Sequence, residues 1–243
     1  MTASPDCAAA VVVAARSAGF ADRTAASRRP IVRFDLVLEH LASLPEPLPA
    51  PAERLMPIVV GGVVGQLPRA PSLGRSGRAA GVLVLLYPDD EGVARVVLTE
   101  RATRDGYHSG EVSFPGGRAE SSDVDIVATA MREAAEEVAL DVVAAGVRVV
   151  GLLESFLIPV SDFEVTPVVA IAQHRPVLIA APSEVARIVE PGVARFLPDA
   201  PMVMVERTVR GWPLRYGAYE VDGLSVWGAT ARILSQLGAV LAR

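Results

Sequence analysis

The segment Phe114-Pro115-Gly116-Gly117-Arg118, followed 14 positions after its last residue by Arg132-Glu133-Ala134-Ala135-Glu136-Glu137, decides how the rest of the chain is read. Between the two, Ile126, Ala130, Ala134 and Val138 recur at successive i, i+4 steps. That period predicts a helix over about Val124 to Ala139 with an apolar stripe facing a sheet. The opposite side of the helix is acidic. Glu133 and Glu137 are four apart and Glu133 and Glu136 three apart, which puts three carboxylates within one turn. Left alone, such like charges repel by roughly a few tenths of a kcal/mol per pair. A divalent ion turns that repulsion into coordination, because Mg²⁺ takes one or two carboxylates together with waters and phosphate oxygens. Alone, an acidic triplet is more often a solvated helix face, and a Gly-Gly pair more often a turn. Together they are more specific, since side-chain-free backbone leading into a helix can approach a phosphate and present N–H donors to it.

On these residues the chain resembles the Nudix hydrolase family. That family's box runs from a Gly to a Glu about six residues on, then Arg-Glu, two residues, Glu-Glu, and a Gly after one more. Gly117 matches the first position, and Arg132, Glu133, Glu136 and Glu137 match the central block. The intermediate Glu is absent, Asp123, Val124 and Asp125 standing near its place; the spacing from Gly117 to Arg132 is one residue longer; and Ala139 replaces the final Gly. The first two departures resemble the coenzyme A pyrophosphatase-like branch, as do Leu98-Thr99-Glu100-Arg101, His108-Ser109-Gly110 and the late Trp227-Gly228-Ala229-Thr230-Ala231. Where branch members carry Leu-Arg before the His and Gln after it, this chain has Asp105-Gly106 and Glu111. The resemblance covers about Gly81 to Leu241.

The resemblance implies an α/β (α+β) fold, a Nudix-like α/β/α sandwich with a mixed sheet. It implies hydrolysis of a diphosphate bond in coenzyme A or a related nucleoside diphosphate derivative. Cleavage of ADP-ribose or a dinucleotide, or a non-catalytic nucleotide-sensing module, are the alternatives. Glu133, Glu136 and Glu137 would hold Mg²⁺ or Mn²⁺, with Arg132 an orienting residue paired to a glutamate. Arg101, Arg104, His108, Phe114, Gly116 and Gly117 would line the substrate. One of the helix glutamates, or else Glu154 or Glu164, would act as general base. Trp227 is expected to start a helix and to pack on the core, without chemistry.

Outward from this centre, residues 1–30 are Ala/Ser/Arg-rich without apolar period and read as a mobile N-terminal arm. Residues 31–80 read as an N-terminal helix, about Asp35 to Leu44, and a linker in which Pro45, Pro47, Pro49 and Pro51 forbid helix, packing on the core. Residues 81–243 read as the catalytic domain. Strands are expected at Val82 to Tyr87, Ala94 to Leu98, Val147 to Leu157, Val165 to Ala172, Met202 to Val205 and Leu214 to Val221. Further helices are expected at Ser183 to Val189 and Trp227 to Leu241.

Composition bounds the function. At 243 residues with 51% hydrophobic content the chain can bury a sizeable core, yet no uncharged apolar run reaches the roughly 18 residues of a membrane span. A net charge of -5 disfavours a nucleic-acid footprint. All 23 basic residues are arginine, from which no function follows. A lone cysteine, Cys7, cannot pair within the chain, and the apolar run Cys7 to Ala15 has no basic residue before it, so the cytoplasm is the expected compartment. The expected partner is a small nucleotide diphosphate, with no nucleic acid and no membrane; a homodimer is compatible with the sequence.

Overall fold

The structure is a computed structural model that describes residues 31–61, 77–102, 111–158, 161–209 and 211–243. It opens with α1 (Phe34–His40), shorter than the expected helix; Phe34 and Val37 turn inward, as does Leu41 just beyond. The Pro-rich stretch follows without regular structure and is tied down at two points: Gln236 Nε2 donates to Pro49 O at 3.0 Å, and Ala52 N–H to Ser235 Oγ at 2.9 Å. Strand β1 (Ile58–Val59) ends this part.

The central sheet is organised by β2 (Arg78–Pro88), a nearly continuous apolar run of the kind that is covered on both faces. It pairs with β3 (Ala94–Val96) and, after β4 (Leu98–Arg101) and β5 (Val112–Ser113), with β6 (Gly116–Arg118), both antiparallel. Helix α2 (Ile126–Val138) comes next, then β7 (Arg148–Leu152), β8 (Phe156–Ile158) and β9 (Phe163–Ile171). Strand β9 runs parallel to β2 over Arg78↔Phe163 to Leu86↔Ile171, and β7 and β8 pair antiparallel to β9, which makes the sheet mixed.

Alternation along β2 divides the core. Leu83, Leu85 and Tyr87 point to α2, joining Ala130, Ala134 and Val138; Val84 and Leu86 point to the other face. There they meet Ala231, Leu234 and Leu237 of α3 (Gly228–Leu241). The result is an α/β/α sandwich with a mixed sheet. Strand β10 (Val185–Val189) joins β4 and β5 in a second sheet, and β11 (Val203–Val209), β12 (Trp212–Val221) and β13 (Leu224–Val226) form a third with β1.

Three expected elements are corrected. Residues 183–189 form no helix: Val185 and Val189 are both four apart and an even number apart, so they fit either period, and the edge of β4 decides for strand. The run 94–98 breaks at Val97, where the chain leaves β2 and begins to pair with β5 and β10; Val97 packs with the α2 cluster and Leu98 with the α3 cluster. The run 147–157 is two strands, separated by Leu153, Glu154 and Ser155. Among the described residues, no helix is long and apolar enough to cross a membrane.

Candidate active site

Helix α2 crosses β2 at Gly81, where a Cβ would stand 2.7 Å from Ile126 O, and this close approach lets the helix lie over β6 as well. Its start is capped by Asp125, whose side chain accepts from Ala128 N–H at 2.8 Å. Its end turns at Ala139 in the left-handed region, φ 53. In place of a side-chain cap, the chain returning toward β10 supplies two donors: Ile179 N–H to Val138 O and Ala181 N–H to Glu137 O, each at 2.9 Å.

The glycines of β6 sit directly beneath the acidic face. Gly116 N–H donates to Glu137 Oε2 at 3.2 Å, and a Cβ on Gly117 would stand 2.6 Å from the Glu133 carboxylate. Gly116 also has φ 155, a conformation that L side chains rarely adopt, and a Cβ there would meet Gly81 O and Val82. Phe114, 2% exposed, is anchored in the core and so holds the backbone of Pro115 to Gly117 in place.

Arg132 is gripped from several sides. Its Nε and Nη2 donate to the two oxygens of Asp123, each at 3.0 Å, and Nη1 donates to Glu133 Oε1 at 2.9 Å and to Glu136 Oε2 at 3.3 Å. A further bond from Nη2 reaches Arg118 O at 3.0 Å. Asp123 is braced in turn by Glu120 N–H and the Thr129 hydroxyl, both at 2.9 Å. The Arg132 guanidinium, helped by these bonds, holds the Asp123 carboxyl well below the usual carboxylate range. The expected partner of Arg132 was a glutamate; the structure adds Asp123 as its two-pronged partner. The signal was present in the sequence, because Asp123 stands near the place where the family has its intermediate Glu.

Two carboxylates of the helix, Glu137 and Glu133, are raised. Burial pushes Glu137 from 4.5 to about 7, reinforced by the nearby charges of Glu133 and Glu184 and opposed by the Gly116 N–H and by Arg101. Burial also raises Glu133, with Arg132 opposing and Glu136 and Glu184 adding to it. Glu184 was not legible as a site residue. It arrives through the pairing of β10 with β4, Ala102 N–H donating to Glu184 O at 2.8 Å, and nothing in the sequence around it marks that neighbourhood.

The remaining expected residues are placed as follows. Arg101 ends β4, exposed, with its charge acting on Glu137. Arg104 and His108 lie outside the described residues. Glu154 pairs with Arg232 of α3 at 3.1 Å, whereas Glu164 is exposed on β9 beside Leu157 and Ala79. Neither is among the groups that shift Glu133 or Glu137.

Among the described residues no three His, Cys, Asp or Glu side chains stand gathered around one point at metal-binding distance. Arg132 bridges Glu133 and Glu136 and draws their oxygens to itself. A divalent cation nevertheless suits the donor set. Two adjacent carboxylates with raised pKa, Glu137 buried and Glu133 partly buried, are what a +2 charge would relieve, and Mg²⁺ needs only one or two carboxylates from the protein.

A sequence model of the NUDIX domain matches residues 77–229, well over half of the chain and all of the elements that build this site. The chain belongs to the Nudix family. It is 37% identical over 169 residues to Nudix hydrolase 15, mitochondrial, of Arabidopsis thaliana, an alignment covering 67% of this chain and 58% of that one. To the uncharacterized Nudix hydrolase NudL of Salmonella paratyphi B it is 37% identical over 142 residues, 58% of this chain and 72% of that one. The chain therefore spans less than two thirds of the length of the Arabidopsis relative. Among solved structures, a MutT/nudix family protein from Enterococcus faecalis is 16% identical with a TM-score of 0.44, over 71% of this chain and 63% of that one, a likeness too loose to bear on chemistry.

Proposed function

We propose that this Nudix chain is a pyrophosphohydrolase that cleaves the diphosphate bond of a nucleoside diphosphate derivative with Mg²⁺ or Mn²⁺, coenzyme A being the first candidate. The observation that supports it best is the seating of the Gly116-Gly117 backbone against Glu137 and Glu133. With no side chain on either glycine, the two carboxylates lie directly against the backbone, so a diphosphate drawn to a cation held by them would lie beside that backbone. Glu133, Glu136 and Glu137 are the proposed cation ligands. When bound, the ion would neutralise diphosphate oxygens and acidify a water.

The chain's own residues supply the rest. Arg132, tied to Asp123, Glu133 and Glu136, is a positioning residue that orients the carboxylates. Arg101, whose charge already acts on Glu137, is the proposed partner of a substrate phosphate. Glu137 is the carboxylate assigned to take a proton from water, since it lies against the Gly116 N–H at the centre of the site. Glu154, by contrast, pairs with Arg232 of α3. Coenzyme A is put first on the motifs shared with that branch, and the cytoplasm is the proposed compartment.

The test is a panel of coenzyme A, its 3′-dephospho form, ADP-ribose and a dinucleoside diphosphate, each incubated with Mg²⁺, with Mn²⁺ and with chelator. The expected result is cation-dependent formation of two products that each carry one phosphate of the cleaved diphosphate, the adenosine half of coenzyme A keeping its 3′-phosphate as well, identified by mass. No cleavage of any compound with either ion overturns the hydrolase reading, and undiminished cleavage in chelator overturns the cation.

A further inference from the structure

The motif Trp227-Gly228-Ala229-Thr230 has no part in the cleavage machinery described above, yet the fold brings it beside that machinery. Trp227 follows β13 directly and stands at the N-cap of α3 without a side-chain capping bond. Its indole stacks on the Tyr216 ring of β12, with centroids 4.6 Å apart and 24° between the planes. Tyr216 is buried, whereas Trp227 keeps part of its surface accessible. Beside it, Gly228 has φ 62 and open space where a Cβ would be.

Two bonds locate this aromatic pair relative to the diphosphate site. The Thr230 hydroxyl donates to Val112 O at 2.9 Å, which fastens the start of α3 to β5. On its other side β5 pairs with β4, the strand that ends in Arg101, and Arg101 N–H donates to Glu111 O at 3.0 Å. β5 thus lies between the strand that ends in Arg101 and the helix start that carries Trp227, so a base on Trp227 and a phosphate on Arg101 would sit to either side of one strand. Charge surrounds the buried partner as well: burial raises the Tyr216 hydroxyl, Arg207 within hydrogen-bonding reach opposes it, and Glu111 adds to it.

We propose that Trp227 is the stacking surface for the nucleobase of the substrate, with Tyr216 behind it as a rigid backing. A partly accessible indole whose inner face is already occupied by a second ring offers its outer face to one more aromatic plane, and every base has such a plane. The ligand class is a purine or pyrimidine nucleotide. The inference rests on the nucleotide reading above and specifies where the base goes.

The chain has two tryptophans, Trp212 and Trp227, so Trp212→Phe leaves Trp227 as the only indole reporter. AMP titrated into that variant in chelator should quench its fluorescence saturably, and ribose 5-phosphate should not. No quenching by AMP, or equal quenching by ribose 5-phosphate, overturns the proposal. In turnover, Trp227→Leu should raise KM for the cleaved nucleotide about tenfold with kcat kept, and Trp227→Phe should restore most of the loss. A fall in kcat at unchanged KM overturns it, since that is what a purely structural helix start would give. If Trp227→Leu does not fold, the fluorescence titration decides alone. Because AMP binding needs no hydrolysis, quenching without cleavage of any diphosphate sinks the hydrolase reading and leaves this one standing.

Discussion

Glu137 carries the largest consequence of any single side chain in the site. It is 7% exposed, and burial beside Glu133 lifts its carboxyl from 4.5 to about 7. A carboxyl raised on folding favours the protonated native state, so its contribution to stability is full below about pH 4.5 and is lost as pH rises through about 7. The cation-free protein should therefore lose up to about 3 kcal/mol of unfolding free energy between these limits, and added Mg²⁺ should restore part of it at pH 8. Denaturant melts at several pH values, with and without Mg²⁺, check this; a flat profile from pH 5 to 8 in chelator contradicts it. Glu137→Gln should flatten that profile while lowering kcat by at least about 10²-fold, because it removes charge but keeps shape. Asp123 makes the complementary case. Asp123→Asn removes one arm of the two-pronged hold on Arg132, and turnover should fall about tenfold or more with KM little changed. Full activity in that variant would show that Arg132 is held well enough by Glu133 and Glu136.

The acidic helix shows how an element can be well begun and poorly ended. Asp125 caps the N-terminus of α2 through Ala128 N–H, and Asp125→Ala should cost about 1 kcal/mol. At the other end, Ala139 occupies a left-handed turn, φ 53, at the position where the family's box carries Gly. A residue with a Cβ is strained there by about 1 to 2 kcal/mol, part of which a glycine would give back in the entropy of the unfolded chain. Ala139→Gly should consequently stabilise the protein by about 0.5 to 1 kcal/mol in chemical denaturation, without loss of turnover. Destabilisation by that substitution would mean that the donors Ile179 and Ala181 require the present turn. Strand β10 teaches the related lesson that a short segment whose apolar residues fit both periods takes its structure from the nearest open strand edge.

On the proposed reading, substrate choice belongs to the convergence of separate parts of the chain. The acidic helix, the β6 glycines, Arg101 on β4 and Glu184 before β10 belong to four elements that meet only through strand pairing and helix packing. Between Arg101 and β5 lies the segment 103–110, which holds Asp105-Gly106 where the resembling branch has Leu-Arg. A basic side chain missing there would cost a 3′-phosphate about 1.5 to 3 kcal/mol of charge-assisted bonding. The ratio of kcat/KM for coenzyme A over its 3′-dephospho form should accordingly stay below about tenfold. A preference above about a hundredfold that survives Arg101→Ala and Arg104→Ala would show that this segment does not set specificity.

The amino-acid order alone was enough for the periodic and the local. The i, i+4 stripe Ile126, Ala130, Ala134, Val138 determined that α2 is a helix and which face it buries, because that information lies within a few turns of one chain segment. The apolar run Val82 to Tyr87 likewise marked a strand, and the spacing of Glu133, Glu136 and Glu137 marked the acidic side. Whatever depends on residues far apart in the chain stayed hidden. The strand at 185–189, the break at Val97, the approach of Glu184 to Glu133 and Glu137, and the stacking of Trp227 on Tyr216 each join partners brought together only by folding. Proton affinity belongs with them: nothing in the order of residues distinguishes Glu137 from Glu136, and burial between a helix, two glycines and a returning strand raises one while leaving the other 59% exposed.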